Sequence, residues 1–181
     1  CFERDRSVRS LLLVATAALC FAGTESRVSQ QSIVAVEQSI NDQFHANSPD
    51  PYDLLGTARG TYLEGYGALF TVEIQLVYVS PPTPFRPKIP PAEIALIRER
   101  KLKKIPELRK TMQTLLANAS STLEGLQPGE HVAIETIIWI YSWENSAGLP
   151  HRIFMSAEKQ KLRDARAGGV DLASVIQEQD R

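Results

Sequence analysis

Between residues 80 and 91 the chain carries six of its eleven prolines, at 81, 82, 84, 87, 90 and 91 (SPPTPFRPKIPP). Proline fixes φ, lacks an N–H and clashes with the turn before it, so neither a helix nor a central strand runs through such a stretch. It is predicted to be an extended, stiff crossing that lies on the domain, with Phe85 and Ile89 pinning it down. Everything else has to be arranged on either side of this crossing.

Before it, residues 28–46 read as a helix, because Val28, Ser32, Val36, Ile40 and Phe44 recur every four positions. Residues 57–63 and 68–79 read as strands of a hairpin turning at Gly65 and Gly67 around Tyr66. In the second strand Phe70, Val72, Ile74, Leu76 and Tyr78 alternate with Thr71, Glu73 and Gln75, so one face is buried and the other at least partly wet.

After the crossing, Pro91 opens a long helix over 92–123 with an apolar stripe at Ile94, Ile97, Ile105, Leu108, Met112, Leu115, Ala119 and Leu123. Pro106 is predicted to kink it or split it in two, since an interior proline costs about 3 kcal/mol. Residues 132–143 form a strand that becomes apolar on both faces, the mark of a central position. A loop over 144–150, a strand over 151–156 and helices over 157–167 and 170–178 complete the order α-ββ-α-ββ-α. The expected class is α+β: an antiparallel sheet of about four strands from two hairpins, packed against a long kinked helix and flanking helices.

The first residues have a different character. Arg4, Arg6 and Arg9 precede an apolar run over 11–22 (LLLVATAALCFA), and Cys20 and Ala22 are small residues of the cleavage type. That is the three-part pattern of a signal peptide, read here as 1–22, with a single domain over 23–181. The run is shorter than the roughly 20 residues a membrane span needs, so no permanent anchor is expected after cleavage. The expected location is periplasmic or extracellular. Both cysteines, Cys1 and Cys20, fall inside this segment, so the mature domain is expected to use no thiol, disulfide or cysteine–zinc chemistry. The formal net charge of −1 gives no global field for collecting nucleic acid.

Few motifs carry chemistry. Gly56, Gly60, Gly65 and Gly67 precede no Lys-Ser or Lys-Thr and no helix, so they are strand turns rather than a phosphate loop. His45, His131 and His151 lack metal-ligand spacing, and no cofactor or metal is expected. Glu64, Glu73, Glu135 and Glu144 are weak catalytic candidates, because two carboxylates facing one cleft can serve as acid and base. Glu73 and Glu135 are more simply wet-face residues or partners of Arg59 or Arg152. The basic run 98–104 (RERKLKK) is predicted to be a solvated helix face with Glu99 pairing Lys103, or a patch that meets an anionic membrane or acidic polymer. Tyr62, Tyr66, Trp139, Tyr141 and Trp143 form the aromatic group best suited to a surface platform, with Trp139 and Tyr141 more simply core residues of a buried strand and Tyr66 and Trp143 set beside loops.

The stretches GTYLEGYGALFTVEIQL and YSWENSAGLPHRIFMSA resemble segments of uncharacterised exported bacterial proteins, over residues 52–167. That resemblance implies export and transfers no activity. The leading expectation is a non-enzymatic binding domain that uses Tyr62, Glu64, Tyr66, Trp143, Glu144 and His151. Its partner would be another envelope protein or an extracellular polymer, not nucleic acid. The alternatives are a hydrolase with paired carboxylates and a chaperone-like envelope assembly module built on the long helix.

Overall fold

The structure is a computed structural model that describes residues 28–46 and 51–181. The signal-peptide segment 1–22 and most of the 48–51 connector lie outside the described residues.

Helix α1 (Gln30–Ala46) starts where the Ser29 hydroxyl accepts from the Ser32 amide at 3.1 Å, an N-cap that satisfies an otherwise unpaired donor. Ile33, Val36, Ile40 and Phe44 form its buried stripe. Its polar side also works. Asn41 accepts from the Ala58 amide at 2.9 Å, and Glu37 from the Gly60 amide at 2.7 Å. These bonds hold strand β2 (Arg59–Leu63) against the edge of β3 (Gly67–Gln75) that the short strand β1 (Asp53–Leu54) also pairs with. Gly60 is required by close approach, since a Cβ there would sit 2.5 Å from the Phe70 ring.

Strand β3 buries Ala68, Phe70, Val72 and Ile74, as its alternation predicts. The chain then crosses to α2 (Pro91–Thr122). That helix, at about 1.5 Å per residue, returns the chain along the sheet, so β4 (His131–Ile138) begins beside the start of β3 and pairs with it in parallel. The α+β class therefore holds, while the sheet is mixed rather than wholly antiparallel. Strand β5 (Arg152–Glu158) pairs antiparallel to β4, and β6 (Gln177–Asp180) pairs antiparallel to β5. The order across the sheet is β1/β2, β3, β4, β5, β6, with β4 central as its apolar faces imply.

One further expectation is narrowed and two are corrected. Of the two outcomes expected at Pro106, the split does not occur: α2 is one helix through it, with Pro106 on the exposed face, where the carbonyl it leaves unbonded can meet water. Strand β4 ends at Ile138 rather than 143, because β3 offers no partner beyond that level, and the last ladder bond runs from the Trp139 amide to the Ile74 carbonyl at 2.8 Å. The expected last helix is only α4 (Leu172–Val175), followed by β6. In β6, Glu178 and Asp180 alternate onto the Arg109 guanidinium, at 2.9 and 2.5 Å, which favours a period of two.

The helices lie on one side. Helices α1, α3 (Lys159–Arg166) and α4 all contact α2, and Phe70, Ile134 and Met155 face them in one row across the sheet. The opposite face carries no described helix.

Candidate functional site

The opposite, open face is built by register. Thr71, Glu135, Phe154 and Gln179 stand in one row across β3 to β6, with Leu69 beside them on β3 and Arg152 and Arg181 beside them at the β5–β6 edge. Leu69, Glu135, Arg152, Phe154, Gln179 and Arg181 line a hollow of about 230 Å³. Leu69 and Phe154 are half-buried and form an apolar floor. Arg152 donates to Glu135 at 3.3 Å, one of the partnerships expected for that carboxylate, and Arg181 donates to Gln179 at 3.4 Å. Both distances are long for hydrogen bonds of a guanidinium, so both side chains keep donors available to a ligand.

The residues named from sequence divide between the two ends of the sheet. Strand β3 covers nine residues, so those ends are roughly 26 Å apart at about 3.3 Å per residue. At the hairpin end, the Tyr62 hydroxyl donates to Glu130 at 2.8 Å, and Tyr66 stacks on His131 with ring centroids 5.5 Å apart. Gly67 shapes this end. Its φ is +134°, and a Cβ would fall 1.9 Å from the His131 carbonyl oxygen. Glu64 is exposed in the same turn.

At the loop end, Trp143 stacks on Tyr141 at 5.6 Å, and Trp139 meets Tyr141 edge-on at 6.3 Å. Gln75 donates to the Tyr141 hydroxyl at 3.0 Å. Glu144 is buried, paired with the equally buried Lys101, and accepts from the Tyr141 amide at 3.2 Å. His151 is exposed, and its amide donates to the Arg181 carbonyl at 2.9 Å. The structure therefore brings Trp143 together with Glu144, and Tyr62 into the neighbourhood of Tyr66, but does not join the two groups.

Among the four candidate carboxylates, Glu73 and Glu135 share the open face on adjacent strands, two residues out of register, a diagonal of roughly 8 Å between Cβ atoms. Glu73 is exposed and does not line the hollow. Among the described residues, no three of His, Cys, Asp and Glu converge as a metal site.

Three buried lysines among the described residues escaped the sequence reading: Lys101, Lys159 and Lys104, the last with its ammonium 5.1 Å from the centre of the Tyr52 ring. Lys101 occupies the gap in the α2 stripe between Ile97 and Ile105, four residues from each, so its position on the buried face was legible. Lys159, at the start of α3, donates to the Leu123, Leu126 and Glu124 carbonyls at 2.7, 2.9 and 3.3 Å, closing the C-terminal end of α2. Burial lowers its pKa below the usual 10.5, and Arg163 adds to this, while Glu124 and Glu130 act in the opposite direction. The pair expected within the basic run does form, with Lys103 and Glu99 2.7 Å apart on the surface.

No protein-family model matches the chain, and no curated protein and no solved structure matches it either.

Proposed function

We propose that the chain is a non-enzymatic binding domain that takes an acidic group on an apolar stem into the open-face hollow. One observation carries this reading: Arg152 and Arg181 flank a floor made by Leu69 and Phe154, on a sheet face without a described helix. The guanidinium fork matches a carboxylate, while the floor takes the apolar part of the same ligand. Strands hold all the contacting side chains except that of Arg181, whose backbone exchanges hydrogen bonds with Arg152 of β5 at 2.8 and 3.0 Å, so little ordering is needed on binding.

Binding is favoured over hydrolysis by paired carboxylates. Glu135 is engaged by Arg152, and Glu73 stands exposed, where nothing described excludes water from a reaction. The basic start and apolar run over 4–22 support a place outside the cytoplasm. There the ligand group would belong to another envelope protein or to an acidic extracellular polymer.

The test is an amide-shift titration of the labelled chain with N-acetylated Glu-Phe dipeptide and with phenylpropionate. Saturable shifts are expected at Leu69, Glu135 and Phe154, and Arg152→Ala should weaken binding by about tenfold, the loss of one charge-assisted contact. Shifts confined to the sheet ends, or an affinity indifferent to Arg152→Ala, would overturn the reading.

A further inference from the structure

The proline crossing does not lie flat on the domain. Ile89 is buried, but Phe85, expected to pin the segment beside it, is 100% exposed. The cause is a turn. Thr83 and Arg86 exchange backbone hydrogen bonds at 3.0 and 2.9 Å, and the Arg86 amide also donates to the Thr83 hydroxyl at 3.1 Å. Pro84 and Phe85 form the tip of that turn, and Arg86 is tied to Glu93 at the start of α2.

Around the tip are further apolar side chains. Tyr78 is 70% and Leu96 55% exposed, and both line a shallow hollow with Ile97, Arg86 and Arg100. A fully exposed phenylalanine on a stapled turn, next to other exposed apolar groups, is the kind of feature that marks a contact surface. The prolines remove backbone freedom in advance, so presenting the ring costs little entropy when it is taken up.

Charge says what takes it up. Between residues 80 and 104 there are seven basic residues against two acidic ones, while the whole chain carries −1, so the remainder is acidic. Lys101 and Lys104 are buried, which leaves Arg86, Lys88, Arg98, Arg100 and Lys103 toward the surface; Arg86 and Lys103 are paired with Glu93 and Glu99, so the excess there is three positive charges. This asymmetry turns the tip toward an anionic surface and the rest of the molecule away from it. The prolines at 81, 84, 87 and 90 have the three-residue spacing of a polyproline rod that aromatic grooves read. The turn at Thr83–Arg86 folds that rod back on itself, so what is offered is a ring at a tip rather than a ridge of prolines.

We infer that this tip is a membrane-contacting element: Phe85 enters the interface of an anionic bilayer, while the cations around it meet the lipid phosphates. Such a contact is weak and reversible, because it combines one aromatic group with a few surface charges.

The experiment is sedimentation of the full chain with vesicles of phosphatidylcholine containing about a third phosphatidylserine, and with vesicles of phosphatidylcholine alone. Binding is expected to the anionic vesicles, to fall with salt, and to drop about tenfold in Phe85→Ala while Phe85→Trp retains it. A second measurement reads position 85 itself. With p-cyanophenylalanine replacing Phe85, its fluorescence should fall on adding anionic vesicles, as the nitrile leaves water, and stay unchanged with neutral ones. This separates the tip from any other segment of the chain that binds lipid. A probe that stays in water, or equal binding by Phe85→Ala, overturns the inference. So does self-association of the chain that Phe85→Ala abolishes without vesicle binding, which would make the turn a protein contact.

Discussion

Two of the three buried lysines among the described residues, Lys101 and Lys159, lie at opposite ends of the sheet, and they are satisfied in different ways. At the loop end Lys101 meets a carboxylate, Glu144, with the Trp139 carbonyl 3.3 Å away as a further acceptor. At the hairpin end Lys159 meets only carbonyls of the residues that follow α2. The first arrangement ties a loop of irregular backbone to the helix through opposite charges. The second surrounds the ammonium with carbonyl dipoles just past the end of α2, while the Glu124 and Glu130 carboxylates also favour its charge. An ion pair taken out of water depends on both members, whereas a lysine among carbonyls leaves neutral groups behind when removed. The loop end should therefore be the more brittle of the two.

The sharpest way to break the comparison is Glu144→Gln. It leaves the Lys101 ammonium buried without a full counter-charge, and denaturant unfolding should show a loss of about 3–5 kcal/mol. Replacing both, as Lys101→Met with Glu144→Leu, should recover most of that loss, because two apolar groups need no partner. If the single variant lost less than the hairpin-end variant below, the ranking of the two ends would be reversed.

Lys159→Met should cost less, about 2–3 kcal/mol, the unsatisfied desolvation of carbonyls at Leu123 and Leu126. Hydrogen exchange should report the loss at the last turn of α2 and leave the loop end protected.

The smallest effect is in pH. The folded chain holds the Lys159 proton less tightly than the unfolded chain, whose value is the ordinary 10.5. Between the lowered value and 10.5 the unfolded state binds more protons, so this group's contribution to stability rises with pH. Melting of the wild type should therefore gain on that of Lys159→Met as pH is raised toward 10.5, and a gap that narrowed would refute the assignment of the cause to burial.

Wherever neighbours along the chain make the decision, the outcome was legible. The i, i+4 stripe of α1, the alternation in β3, the glycine turn around Tyr66 and the apolar stripe of α2 all follow from periodicity and backbone chemistry. Strand β4 does take the central place its apolar residues predict, buried at Val132, Ile134, Thr136 and Ile138 on the helix side and half-buried at Glu135 and Ile137 on the open side. The candidate site was legible only in pieces. Glu135 and Arg152 were paired by expectation, but nothing local put Phe154, Gln179 and Arg181 next to them, because β6 was read as helix. Tyr66 and Trp143 look like one surface on paper, since each adjoins a loop, yet parallel pairing of β3 with β4 sends them to opposite ends.

The sequence by itself determined the long helices α1 and α2, which strands run at the centre, and that the proline crossing separates the two halves. Its fixed φ angles and hydrophobic periods act over a few residues and need no distant partner. Only the tertiary structure decided the direction of pairing, the bare face of the sheet, the partners of the buried Lys101 and Lys159, and the outward turn of Phe85. Each of those depends on groups 30 or more residues away or on a turn that overrides a hydrophobic residue's preference for the core, as Lys101 with Glu144 and Lys159 with Leu123 illustrate at separations of 43 and 36 positions.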